Sequence, residues 1–160
     1  MVCIRVDLLI RRITLLLVVI AALLSCRVTA EELDQKGEVQ IWNGSSEQYR
    51  VIDFAAAWCR PCWAALPRLQ RFADAHPTLN VIVVSVDERV EGRDKLVDAL
   101  GLTVPVVWDE EHRIAEHFRP TGMPATFVLN PAGEIVFQHI GSGKDEWNEM
   151  VVFIDKLLRE

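Results

Sequence analysis

Cys59-Arg60-Pro61-Cys62 stands where an apolar strand-like run, Tyr49–Phe54, hands over to a helical pattern. No other feature constrains the chain as much. Leu66, Leu69, Phe72 and Ala73 follow helical spacing across Pro61–Ala75. Pro61 suits a first helical turn, where its missing N–H costs nothing; Pro67 falls inside the helix and should kink it. Leu79–Val86 is almost all apolar and rich in β-branched residues, the pattern of a strand covered on both faces. Gly92–Leu100 reads as a helix closed by Gly101, Val104–Trp108 as a short strand, and Glu110–Phe118 as another helix. Thr126–Leu129 and Glu134–Ile140 read as strands joined by the turn Asn130-Pro131-Ala132-Gly133. Asp145–Arg159 closes the chain as an amphipathic helix with Trp147, Met150, Val151, Ile154, Leu157 and Leu158 on one side. Upstream, Val39–Trp42 reads as a short strand and Asn43–Ser46 as a turn. Strands alternating with helices imply an α/β fold with parallel strand pairs, and the late hairpin is antiparallel.

The hydrophobic content of 51% hides a split. Residues 1–30 hold 22 apolar residues, whereas 31–160 hold 59 of 130, an ordinary value for a soluble domain. Arg5, Arg11 and Arg12 precede an uncharged run whose core, Ile13–Leu24, is 12 residues long. A spanning helix needs about 20 residues, and a basic entrance followed by a short apolar run is a secretory leader pattern. Three fates compete: cleavage after Ala30 behind Val28-Thr29-Ala30, lipidation of Cys26 in Leu23-Leu24-Ser25-Cys26, or an uncleaved anchor. The expected organisation is a leader over 1–30, a polar linker over 31–38 and one domain over 39–160. With 13 basic against 22 acidic residues, 31–160 carries a net charge of −9, which argues against a nucleic-acid partner. Contact with a membrane is expected only through the leader.

Of four cysteines, Cys3 and Cys26 lie in the leader, so the domain keeps one pair. A helix N-terminus stabilises a thiolate, which would make Cys59 a nucleophile near neutral pH. Cys62, one turn on, can reach the Cys59 sulfur and resolve a mixed disulfide. Arg60 adds positive charge, Pro61 restricts the loop, and Trp58 is expected to shield one side of the sulfur. A structural disulfide is a second reading, although so small a ring constrains little of the unfolded chain. Zinc is a third, but it takes four ligands; there is no second Cys pair, and His76, His112, His117 and His139 are scattered. Asp53, six residues before Cys59, is either a buried acid or a carboxylate exposed at a strand edge. Pro124 is either cis or an ordinary trans proline at a strand start. Trp63, Trp108 and Trp147 read as packing or rim residues.

The segment Val51-Ile52-Asp53-Phe54-Ala55-Ala56-Ala57-Trp58-Cys59-Arg60-Pro61-Cys62 resembles the active-site stretch of the thioredoxin superfamily. Pro67 matches that family's helix proline, and Gly122-Met123-Pro124-Ala125-Thr126 resembles its cis-proline loop. The likeness covers about 39–160. Cys62 and Pro124 are 62 residues apart, leaving room for an additional strand and helix around Val104–Phe118. That spacing is similar to the TlpA/ResA-like exported thiol–disulfide oxidoreductases. The resemblance implies a mixed central sheet flanked by helices, with a strand–helix insertion before the cis-proline loop. It implies Cys59 as nucleophile, Cys62 as resolving thiol and Asp53 as proton relay, although Asn80–Val86 offers the acid no lysine partner. It further implies that Trp58, Met123 and Pro124 contact substrate.

The expected protein is therefore a monomer exported to the bacterial periplasm or the outer membrane face. It would exchange disulfides with protein dithiols and draw electrons from a membrane thiol donor. Reduction of apocytochrome c is one expectation. No cofactor is expected beyond the redox-active Cys59–Cys62 pair. One rival reading is a tethered, non-catalytic module that holds a metal or a partner protein. Another is a peroxidase, whose pattern wants Thr where this chain has Ala56.

Overall fold

The structure is a computed structural model that describes residues 48–159. The leader, the linker, Cys26 and the strand expected over Val39–Trp42 lie outside the described residues.

Five strands form one mixed sheet: β1 (Arg50–Ala55), β2 (Asn80–Ser85), β3 (Val106–Trp108), β4 (Ala125–Leu129) and β5 (Ile135–Ile140). Four helices flank it: α1 (Arg60–Ala75), α2 (Val90–Leu100), α3 (Arg113–Phe118) and α4 (Lys144–Leu157). The spatial order is β3-β2-β1-β4-β5, so β1, the strand that leads into the cysteines, is central. All six residues of β1 are buried, the charged Arg50 and Asp53 included, as are five of the six in β2.

Alternation along β1 feeds two cores. Val51 and Ala55 join Val81, Val83 and Val128 under α1, α2 and α4, where Leu66, Leu69, Leu96, Met150 and Ile154 close the layer. Ile52 and Phe54 point the other way, into Ile82, Val84 and Phe127, and α3 covers them with Ile114 and Phe118. Leu158, expected on the buried side of the last helix, is 39% exposed because α4 ends at Leu157. The turn expected at Asn130–Gly133 is present, with Gly133 at φ 86°, a conformation that costs glycine nothing.

The connection through α3 departs from the alternation rule. β1 with β2, and β2 with β3, are parallel, but β4 runs antiparallel to β1. A crossover helix must travel back along the sheet, and α3 has only six residues, about 9 Å of rise. The chain therefore stays at the end of the sheet where β3 finished and enters β4 from there. The helix expected from Glu110 begins only at Arg113, because the buried Asp109 carboxylate caps it, accepting the N–H groups of Ile114 and Ala115 at 3.1 and 2.9 Å. This turnaround brings α3 and the loop before β4 to the end of the sheet at which β1 delivers the cysteines.

Candidate active site

Cys59 is the N-cap of α1, and its Sγ accepts the Cys62 N–H at 3.3 Å. The two cysteines are joined as a disulfide with Cα atoms 5.3 Å apart. Cys62 is fully buried and Cys59 keeps 5% of its surface, so Cys59 is the sulfur with access to solvent. Arg60 and Pro61 occupy the exposed first turn of α1, and the helix continues through Pro67. Trp58 lines the same cleft as Cys59 and is 65% exposed at its rim.

That cleft has a volume of about 790 Å³. One wall is the Trp58–Pro61 segment; another is Gly122 and Met123. The third is the strand–helix insertion, which presents His112, Ala115, Glu116 and Arg119. The Met123–Pro124 peptide bond is cis. Met123 is half-buried at the cleft, whereas Pro124 is buried behind it and accepts the Gly141 N–H at 2.7 Å through its carbonyl. Both ends of α3, His112 and Arg119, adopt left-handed backbone with φ 55° and 50°, uncommon for residues with a Cβ.

Asp53 lies on the central strand, 3% exposed, and not at a sheet edge. It sits between Val51 and Ala55 on the face covered by α1, and those two neighbours share an apolar cluster with Cys62. In place of a lysine, its partner is Thr126 on β4, whose hydroxyl donates to Asp53 Oδ2 at 2.7 Å. Burial pushes the Asp53 carboxyl up to about 7, outweighing the Thr126 hydrogen bond and the Arg68 charge that favour the carboxylate.

Several residues that hold the site are not evident from the sequence. Both oxygens of the buried Asp87 carboxylate accept the Ala57 N–H at 3.0 Å, and the Ser85 hydroxyl donates to it at 2.9 Å. The Trp63 indole donates to the Ala57 carbonyl at 2.9 Å, so the peptide two residues before Cys59 is tied on both sides. Trp108 in turn donates to the Asp87 carbonyl at 2.8 Å. Trp147 stacks instead under the Arg68 guanidinium, 4.6 Å from the ring centre. An acid directly after the apolar run Leu79–Val86 is the sequence signal that could have pointed to Asp87. Among the described residues, no three His, Cys, Asp or Glu side chains converge as a metal site.

The AhpC/TSA family model matches residues 27–138. The sporulation thiol-disulfide oxidoreductase A of Bacillus subtilis is 32% identical over 111 residues, covering 64% of this chain and 67% of that protein. The thiol-disulfide oxidoreductase ResA of Oceanobacillus iheyensis is 30% identical over 108 residues, 66% of this chain and 55% of that protein. The chain thus spans about two thirds of the first relative and about half of the ResA proteins. The crystal structure of StoA from Bacillus subtilis superposes with a TM-score of 0.58 at 28% identity, covering 66% of this chain and 82% of that one. A secreted Mycobacterium tuberculosis disulfide oxidoreductase homologous to E. coli DsbE shares the fold, with a TM-score of 0.59 at 20% identity over 68% of this chain and 83% of that one. The thioredoxin-like sheet, the cysteine pair at the head of α1 and these relatives together show that the chain belongs to the AhpC/TSA family, among its ResA- and StoA-like thiol–disulfide oxidoreductases.

Proposed function

We propose that the protein acts outside the cytoplasm and reduces disulfides of other proteins through Cys59 and Cys62. The observation that carries this reading is the asymmetry of the pair: Cys59 opens to the cleft at a helix N-terminus, and Cys62 is buried one turn behind it. In the reduced state, the N–H groups and dipole of α1 favour the Cys59 thiolate. An extended substrate segment lies along Met123, where backbone N–H and C=O groups can pair with it, and Cys59 attacks its disulfide. Asp53 accepts the Cys62 proton, since a buried carboxyl titrating at about 7 is a usable base at neutral pH. The Cys62 thiolate then attacks Cys59 Sγ, closes the disulfide and releases the reduced substrate.

The leader pattern supports an extracytoplasmic location, with the domain free or lipid-anchored through Cys26. Electrons would come from a membrane thiol donor, and apocytochrome c is a candidate substrate. A peroxidase role has little support here, because the buried Ala56 offers no hydroxyl to a peroxide. Cys59→Ser should abolish reduction of insulin disulfides, and full activity in that variant would overturn the reading. Cys62→Ser expressed in the native host should accumulate mixed disulfides through Cys59, and identifying the trapped proteins would settle both substrate and direction.

A further inference from the structure

One face of the sheet carries a row of buried polar side chains of which the thiol chemistry uses only Asp53. Asp53 on β1 pairs directly with Thr126 on β4, and Thr126 pairs directly with His139 on β5. Their exposures are 3%, 1% and 8%, so the row runs from the centre of the sheet toward its edge strand and opens slightly at its far end. Side chains directly opposite across two strands have Cβ atoms about 5 Å apart, so Thr126 stands next to both Asp53 and His139, hydrogen-bonded to the first and not to the second. Asp53 Oδ1 and both ring nitrogens of His139 are buried without a hydrogen-bond partner. A polar group buried without a partner is destabilising, and an apolar residue at position 139 would avoid that.

We propose that Asp53, Thr126 and His139 form one buried proton path, through which the proton taken from Cys62 leaves the interior beside α4. The proposal rests on Asp53 being the base for Cys62. As the Cys62 S–H bond breaks, the proton joins Asp53, and the electron pair stays on Cys62 Sγ to form the bond to Cys59 Sγ. The substrate sulfur departs with the electron pair of the mixed disulfide. The Thr126 hydroxyl, which donates to the Asp53 carboxylate at 2.7 Å, can turn to accept from the protonated acid. It then donates to the acceptor nitrogen of a neutral His139, which releases its other proton to water. The groups acting on His139 suit this role. Burial lowers its affinity for a proton, as does Arg68 on α1, while Glu146 and Glu149 on α4 raise it. The ring would thus hold a proton only in transit, beside exposed acids that can pass it on.

The test follows the mixed disulfide at Cys59 of the full-length protein, by rapid acid quench and mass spectrometry, with a disulfide-bonded peptide as substrate. His139→Gln and Thr126→Val should each lengthen its lifetime about 10-fold at pH 6, where Asp53 starts protonated and must release its proton before it can accept that of Cys62, and the double variant no further, because both interrupt one path. Formation of the mixed disulfide should be unchanged, and the delay should fade as pH rises above about 7, where Asp53 is already ionised. Wild-type resolution by His139→Gln at every pH would overturn the path while leaving Asp53 as the base. Wild-type resolution by Asp53→Asn would overturn both. If His139→Gln fails to fold, the His139 ring of the wild-type protein is titrated by NMR beside Asp53→Asn. A displaced titration supports the path, and an identical one overturns it.

Discussion

Asp53 shows how far burial alone can move a group. Its carboxyl is held at about 7, from an ordinary 3.8, chiefly because the sheet and α1 exclude water from it. The folded state therefore binds this proton more tightly than the unfolded chain does. Its contribution to stability is full below the unfolded value near 4 and is lost as pH rises through about 7. Asparagine keeps a hydrogen-bond partner for Thr126 and carries no charge. Asp53→Asn should match the wild type in urea unfolding at pH 4 and exceed it by up to about 4 kcal/mol at pH 8. An equal denaturation midpoint at both pH values would show that the carboxyl is hydrated. Cys59, Cys62, Arg60 and Pro61 were legible as a site because their chemistry depends on four adjacent residues and one helix start. The surroundings of Asp53 were not, since Thr126 is 73 residues away and meets it only through strand pairing.

At the level of elements, the loop before Cys59 is held by the β2–α2 connection as well as by β1. Asp87 reaches Ala57 from the start of the β2–α2 connection, and Gly92 in α2 lies so close that a Cβ there would overlap the Asp87 carboxyl carbon. Alanine in a helix interior normally stabilises by about 0.5–1 kcal/mol over glycine. Here Gly92→Ala should instead lower the melting temperature and slow thiol exchange at Cys59, because it displaces the anchor of the Ala57 peptide. A raised melting temperature with unaltered exchange would show that Asp87 moves aside freely. The helix boundaries that could be read in advance were those with local signals. Gly101 is one, closing α2 in the left-handed conformation at φ 60°. The start of α3 could not be read as well, because Asp109 sits four residues ahead of it and caps it through a turn that hydropathy does not reveal.

Across the whole molecule, the two cores do different work. The layer under α1, α2 and α4 seats Cys62 and Asp53, and the opposite layer seats the cleft wall. Phe118 at the end of α3 packs on Phe54 and Phe127, with ring centres 5.6 and 5.2 Å away. Phe118→Ala should cost about 3–5 kcal/mol in unfolding free energy. In the remaining folded protein, reduction of peptide disulfides should fall more than that of a small disulfide, because the cleft wall has lost its seat. Equal losses for both substrates would separate α3 from substrate binding. Legible from the residues alone were the Cys59–Cys62 pair at a helix start, the α/β class and the hairpin, all of which rest on periodicity and contacts within one or two turns. The tertiary structure alone decided the antiparallel course of β4, the tie between Asp87 and Ala57, and the row from Asp53 to His139. These depend on which end of the sheet a short connection leaves the chain at, and on which strands then lie side by side. Spacing along the chain carries no such information until the sheet has closed.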